Sequence, residues 1–150
     1  MTTGIQIKKR LAGIDYGKKR VGIAVCDRLH ISVTPLITLD PTSEKFWEKL
    51  LRIVTDEAIE GFVIGLPYRD DDKNDEFIEE IKQFIVTLRS KTNLPIEELD
   101  EYLSTRSAVN TMISIGYTKK RRSEKGNKDK VAAAIILREY LNMLEERDKQ

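Results

Sequence analysis

The sequence predicts an α/β protein built on a mixed five-stranded sheet, three antiparallel strands followed by two parallel ones, with helices on both faces. Three observations carry that expectation. Apolar, β-branched runs stand close together early in the chain; from Asp40 the apolar period becomes helical; and Phe62 to Leu66 is a continuous apolar run, as in strands covered on both faces. Strands that follow one another directly pair as an antiparallel meander, whereas a strand reached through a helix lies parallel to its neighbour through a right-handed crossover.

Arg10 to Asp15 and Arg20 to Cys26 are the first two strands, joined by a short turn around Gly17, which is expected to supply a positive φ. Ile31 to Leu39 is the third, and Pro35 assigns it to a sheet edge. Behind the start signals Pro41, Thr42 and Ser43, the residues Phe46, Trp47, Leu50, Leu51, Val54 and Ala58 recur at helical spacing, and Gly61 is expected to end that helix. Phe62 to Leu66 is the fourth strand, stopped by Pro67. Phe77, Ile78, Ile81, Phe84, Ile85 and Leu88 mark a second helix, with Asn74, Asp75 and Glu76 suited to the positive end of its dipole. Leu94 to Asp100 reads as a short fifth strand. Ser104 caps a third helix with Ala108, Val109, Met112 and Ile113 inward, and the basic, glycine-flanked segment 114–127 reads as a mobile loop. The last helix runs from about Lys128 to Glu146, and its wide apolar band, Val131 to Leu137 with Leu141 and Leu144, implies deep burial.

At 150 residues the chain is expected to be one domain spanning 1–150, with no repeat and no linker-like segment. An apolar content of 40% beside 34% charged residues suits a globular protein. The longest apolar run is far short of the roughly 20 residues that cross a bilayer, and the first ten residues lack an apolar signal core, so the expected setting is cytoplasmic with no membrane partner. One cysteine, Cys26, and one histidine, His30, cannot build a zinc site of those ligands, so any metal must sit on oxygen. Cys26 reads as a buried strand residue rather than a nucleophile, because no histidine motif accompanies it.

The formal charge is only +1, but its distribution is uneven. Basic residues crowd 8–20 and 119–130, and an acidic stretch, Asp70 to Glu80, lies between them. Such runs either attract phosphate or are simply solvated faces of a charge-rich protein. Three carboxylate positions stand at element ends, where α/β folds gather their sites: Asp15, Asp100 or Glu101, and Asp129. Each also has a plain reading. Asp15, between Gly13 and Gly17, either lets a phosphate or hydrated ion approach the backbone or is ordinary turn chemistry. Asp129 suits a helix cap equally well. Only one of Asp100 and Glu101 can face Asp15 from a regular strand, and the sequence leaves open which, or whether both merely extend an acidic strand end.

The blocks LAGIDYGKKRVGIAVCD (11–27), VTPLITL (33–39), IGLP (64–67), DEYLST (100–105) and KDKVAAAIILREYL (128–141) together resemble the YqgF/RuvX family, in its order and spacing over nearly the whole chain. That resemblance implies a ribonuclease H-like fold and a metal-dependent nuclease that processes precursor 16S rRNA or, by structural analogy, resolves Holliday junctions. It further implies an acidic site of Asp15, Asp100, Glu101 and Asp129. The chain departs from the family pattern at Tyr102, where an arginine is usual, and in the acidic segment after Pro67.

Phosphodiester hydrolysis needs an activated water and a neutralised phosphate, which Mg²⁺ or Mn²⁺ supplies without a histidine base. The expectation is that Asp15 bridges two ions while Asp129 and one of Asp100 or Glu101, taken as Glu101, hold one each. Lys18, Lys19, Arg20, Lys119, Lys120, Arg121 and Arg122 are then phosphate contacts to precursor rRNA or branched DNA. Ribosomal subunit precursors are possible partners on this reading. Two rivals remain: a nucleotide-binding half of the actin or sugar-kinase type, for which one domain is too short, and a noncatalytic RNA-binding ribosome-assembly factor. The oligomeric state is not legible in the sequence.

Overall fold

The computed structural model describes residues 7–67, 75–100 and 127–149. Five strands, β1 (Leu11–Tyr16), β2 (Val21–Cys26), β3 (Val33–Leu39), β4 (Gly61–Leu66) and β5 (Ile96–Asp100), form one sheet in the order β3-β2-β1-β4-β5. The first three are antiparallel, and β4 lies parallel to both β1 and β5. The expected mixed sheet is therefore present. Among the described residues three helices accompany it: α1 (Phe46–Asp56), α2 (Asp75–Thr92) and α3 (Asn127–Asp148). The helix expected from Ser104 and residues 114–126 of the expected loop lie outside the described residues.

Alternation along the strands divides the apolar residues into two cores. Ala12, Ile14, Val21, Ile23, Phe62, Ile64 and Leu66 face α1 and α2, where Phe46, Leu50, Ile81, Phe84, Ile85 and Leu88 cover them. Ala24, Cys26, Val63 and Leu99 face the other way, against Ala133, Ala134, Ile136, Leu137 and Leu141 of α3. This second core is made largely of small residues. A helix can lie that close to a sheet only where the strands lack side chains beneath it. A Cβ on Gly13 would stand 2.6 Å from the Ala133 carbonyl oxygen, and one on Gly22 would collide with the carbonyl of Asp129. These two glycines seat α3.

Three local expectations need correction. Gly61 does not end α1; it is the first residue of β4. The helix stops at Ala58, whose φ of 52° turns the chain. The amide of Ala58 donates to the Thr55 carbonyl and that of Ile59 to the Val54 carbonyl, the paired bonds of a Schellman close with alanine where glycine is usual. Gly17 does not have a positive φ; a side chain there would instead press within 2.7 Å of the Arg20 carbonyl oxygen. Gly13 does not open a path to a ligand, because α3 fills the space it leaves. Pro35 does sit on an edge strand, next to the register shift at Ile23 and Ala24.

Candidate active site

Asp15 is the fifth residue of β1 and lies directly opposite Gly22 of β2. Its parity is that of Gly13, so it belongs to the face covered by α3. Gly22 is the point at which α3 touches down, with the Asp129 carbonyl against its Cα. The backbones of Asp15 and Asp129, more than a hundred residues apart in sequence, are thereby both neighbours of Gly22, at the end of β1 and in the first turn of α3.

Asp129 does not cap the helix through its Oδ2. Its Oδ2 is buried and has no hydrogen-bond partner among the described residues. Among the described residues its opposite charge is the Arg20 guanidinium, whose Nη1 is 3.9 Å away. That separation is too long for a hydrogen bond but short enough for attraction. The start of a helix adds positive potential to the same region. Arg20 reaches Asp129 because the β1–β2 turn, residues 17–20, folds back beside the helix start. Lys18, Lys19 and Arg20 are all exposed on that turn.

Lys18 leans the other way, its Nζ 3.8 Å from Glu80 of α2. The Tyr16 hydroxyl donates to the same carboxylate at 2.9 Å. Burial, then the hydrogen bond to Glu80 and the charge it carries, pushes the Tyr16 hydroxyl up to about 12, so it stays protonated at neutral pH.

Of the pair at the end of β5, Asp100 pairs in register with Leu66, a residue of the α1/α2 core, and so belongs to the face away from Asp15. Leu99, one residue earlier, faces α3. Odd-numbered positions of β5 thus have the parity of the Asp15 face. Glu101 lies outside the described residues, as do Lys119, Lys120, Arg121, Arg122 and Tyr102. Among the described residues no three acidic, histidine or cysteine side chains form a metal-binding group.

The role of Gly22 escaped the sequence reading. A glycine inside an otherwise apolar, β-branched strand is the signal that would have found it, since it marks a close backbone approach. Arg10, part of the basic run at 8–20, is spent on structure: its Nη2 donates to Glu57 at 2.8 Å and its Nε to the Cys26 carbonyl at 3.1 Å. Cys26 is buried beneath α3, and burial raises its thiol pKa against the opposing hydrogen bond from the Leu11 amide. No helix of the described residues is long and apolar enough to cross a membrane.

Several known proteins resemble this chain. A protein of Chlorobaculum tepidum named as a candidate pre-16S rRNA nuclease is 38% identical over 135 residues, covering 89% of this chain and 94% of that protein. A Bacteroides fragilis protein of the same name is 36% identical over 133 residues, covering 88% and 95%. Among solved structures, Thermus thermophilus RuvC superposes with a TM-score of 0.61 at 11% identity, covering 91% of this chain and 96% of that one. The Fowlpox virus Holliday junction resolvase superposes with a TM-score of 0.55 at 14% identity, covering 89% and 99%. At such low identities the structural likeness shows the fold, which is ribonuclease H-like. The family model described as "RuvX: Holliday junction resolvase" matches residues 9–143, so the chain belongs to the RuvX family.

Proposed function

We propose that this protein is a metal-dependent nuclease that hydrolyses a phosphodiester bond at the open end of β1, with precursor 16S rRNA as its substrate. The observation that carries the reading is the buried Oδ2 of Asp129, which among the described residues has Arg20 at 3.9 Å but no hydrogen-bond partner, close to the strand position of Asp15. A buried carboxylate oxygen without a hydrogen bond is costly unless another group takes the place of water. Hard carboxylate oxygens suit Mg²⁺ or Mn²⁺, so the residues present fit such an ion. Asp15 and Asp129 would hold it, with Glu101 as the third ligand; Asp100, on the other face, drops out of the ligand set. Bound there, divalent ions neutralise the scissile phosphate and acidify a water, the two requirements of hydrolysis.

The chain's own contribution is positional. Lys18, Lys19 and Arg20 offer cations at the rim, where they hold backbone phosphates without reading bases. Lys119, Lys120, Arg121 and Arg122 are assigned to the same task. Names carried by the relatives favour precursor rRNA. A second reading, resolution of branched DNA, is favoured by the description of the matching family and by the RuvC fold. Symmetric cutting of a junction needs two sites related by a two-fold axis, whereas trimming an RNA end needs one.

The test is cleavage by purified protein of single-stranded RNA, a precursor-rRNA-like strand and a four-way junction, each with Mg²⁺, Mn²⁺ or chelator, together with the solution mass. Asp15→Asn should abolish cutting while retaining the circular dichroism spectrum and nucleic-acid binding. A monomer that cuts the rRNA-like strand supports the first reading, and a dimer that cuts the junction in preference supports the second. Binding without cutting under any metal would make the protein a noncatalytic assembly factor.

A further inference from the structure

On the far side of the β1–β2 turn from Asp129 is a cleft of about 260 Å³, lined by Tyr16, Trp47, Glu80, Gln83, Phe84 and Thr87 with Pro41 and Phe46 behind. It is smaller than the roughly 300 Å³ at which pockets begin to take drug-sized ligands, so it suits a single planar ring. Its walls are aromatic. The Phe84 ring lies 4.8 Å from that of Tyr16 and 5.3 Å from that of Trp47, centroid to centroid. Its polar edge is the Glu80 carboxylate, which accepts from Tyr16 and has Lys18 beside it.

We infer that this cleft binds one unpaired nucleobase of the strand being cut. The inference rests on the nuclease reading and adds a substrate class to it. Three features argue for a base rather than another ligand. First, Tyr16 follows Asp15 directly in β1, so the cleft and the carboxylate pair are back to back across the end of one strand. Second, the turn between them presents Lys18 on the cleft side and Arg20 on the Asp129 side, so phosphates crossing the turn meet cations on both flanks. Third, the cleft is selective by charge. Glu80, with Glu76 and Glu79 on the same helix, repels phosphate but accepts hydrogen bonds from the N–H groups of a neutral base. In a duplex those N–H groups are committed to the opposite strand, so the cleft selects an unpaired nucleotide. Stacking against aromatic rings is tolerant of base identity, which makes the site a reader of single-strandedness and not of sequence.

Trp47 is the only tryptophan of the chain, so its emission reports on the cleft directly. The full-length protein is titrated, with Ca²⁺ as the only divalent ion, with a ten-nucleotide single-stranded RNA and with the same strand made abasic at its central positions. Trp47 emission and affinity are both read, and strand integrity is checked afterwards. The inference expects the intact strand to change Trp47 emission and to bind at least about fivefold more tightly than the abasic one. Glu80→Ala, which removes the acceptor, should erase most of that difference, while abasic binding is kept or tightened because Lys18 loses its carboxylate partner; a difference that survives in this variant would overturn the role of Glu80 in holding the base. Equal affinity for the two strands with unaltered Trp47 emission would overturn the base site and leave the phosphate track, hence the nuclease reading, standing. Failure to bind either strand would overturn both.

Discussion

Arg20 shows why a basic run cannot be read by counting charge. Lys8 to Arg20 looks like a phosphate-attracting stretch, yet Arg10 is paired with Glu57, Lys18 leans on Glu80, and Arg20 faces the buried oxygen of Asp129. Under the nuclease reading Arg20 competes with the ion for Asp129 and is released toward phosphate when the ion arrives. Removing it should therefore have opposite effects on two ligands. Arg20→Ala is expected to tighten Mn²⁺ binding about two- to fivefold at low ionic strength, the range that partly exposed ion pairs support. The same variant should weaken nucleic-acid binding and lower its salt slope by about 1. Calorimetry with Mn²⁺ and a salt titration with a short RNA read the two effects; a loss of Mn²⁺ affinity would instead mean that Arg20 orders the site.

At the scale of elements, the docking of α3 on β1 and β2 sets the position of Asp129. The contact is backbone against backbone at Gly22, so it has no slack. Gly22→Ala should cost about 1–3 kcal/mol by overpacking, read as a lower urea midpoint. Its folded fraction should also bind Mn²⁺ more weakly, because the first turn of α3 has to lift; unchanged metal affinity would show that the helix start can shift without moving the site. The close of α1 offers the reverse case. Ala58 occupies a left-handed conformation that suits glycine. Ala58→Gly is expected to stabilise the protein by about 0.5–1 kcal/mol, the relief of strain less the added chain entropy, again by urea denaturation.

For the whole molecule, the sheet separates two cores, and Asp15 and Asp129 both belong to the α3 side. Cys26 reports on that side. It is buried between β2 and α3, and burial pushes its thiol above the usual value. Its thiol should resist a disulfide reagent in native protein and react at the rate at which the molecule opens globally. Rapid labelling would mean that α3 lifts off alone. A thiol pKa raised on folding contributes stability that is complete below the unfolded value near 9 and is lost as pH rises through the folded one. Cys26→Ala should therefore flatten part of the alkaline decline in stability.

Periodicity and order along the chain were enough to determine the mixed sheet, because alternation, helical spacing and direct or helical connection are local properties. Asp15 and Asp129 were legible as candidates from their places at element ends. Which side each faced was not, since parity has meaning only once strand register is known: pairing with Leu66 turned Asp100 away, and pairing with Gly22 put Asp15 under α3. The turn chemistry assigned to Gly17 and Gly61 failed for a related reason. A glycine in sequence signals either a conformation or a close approach, and only the neighbour that arrives from elsewhere in the chain decides between them.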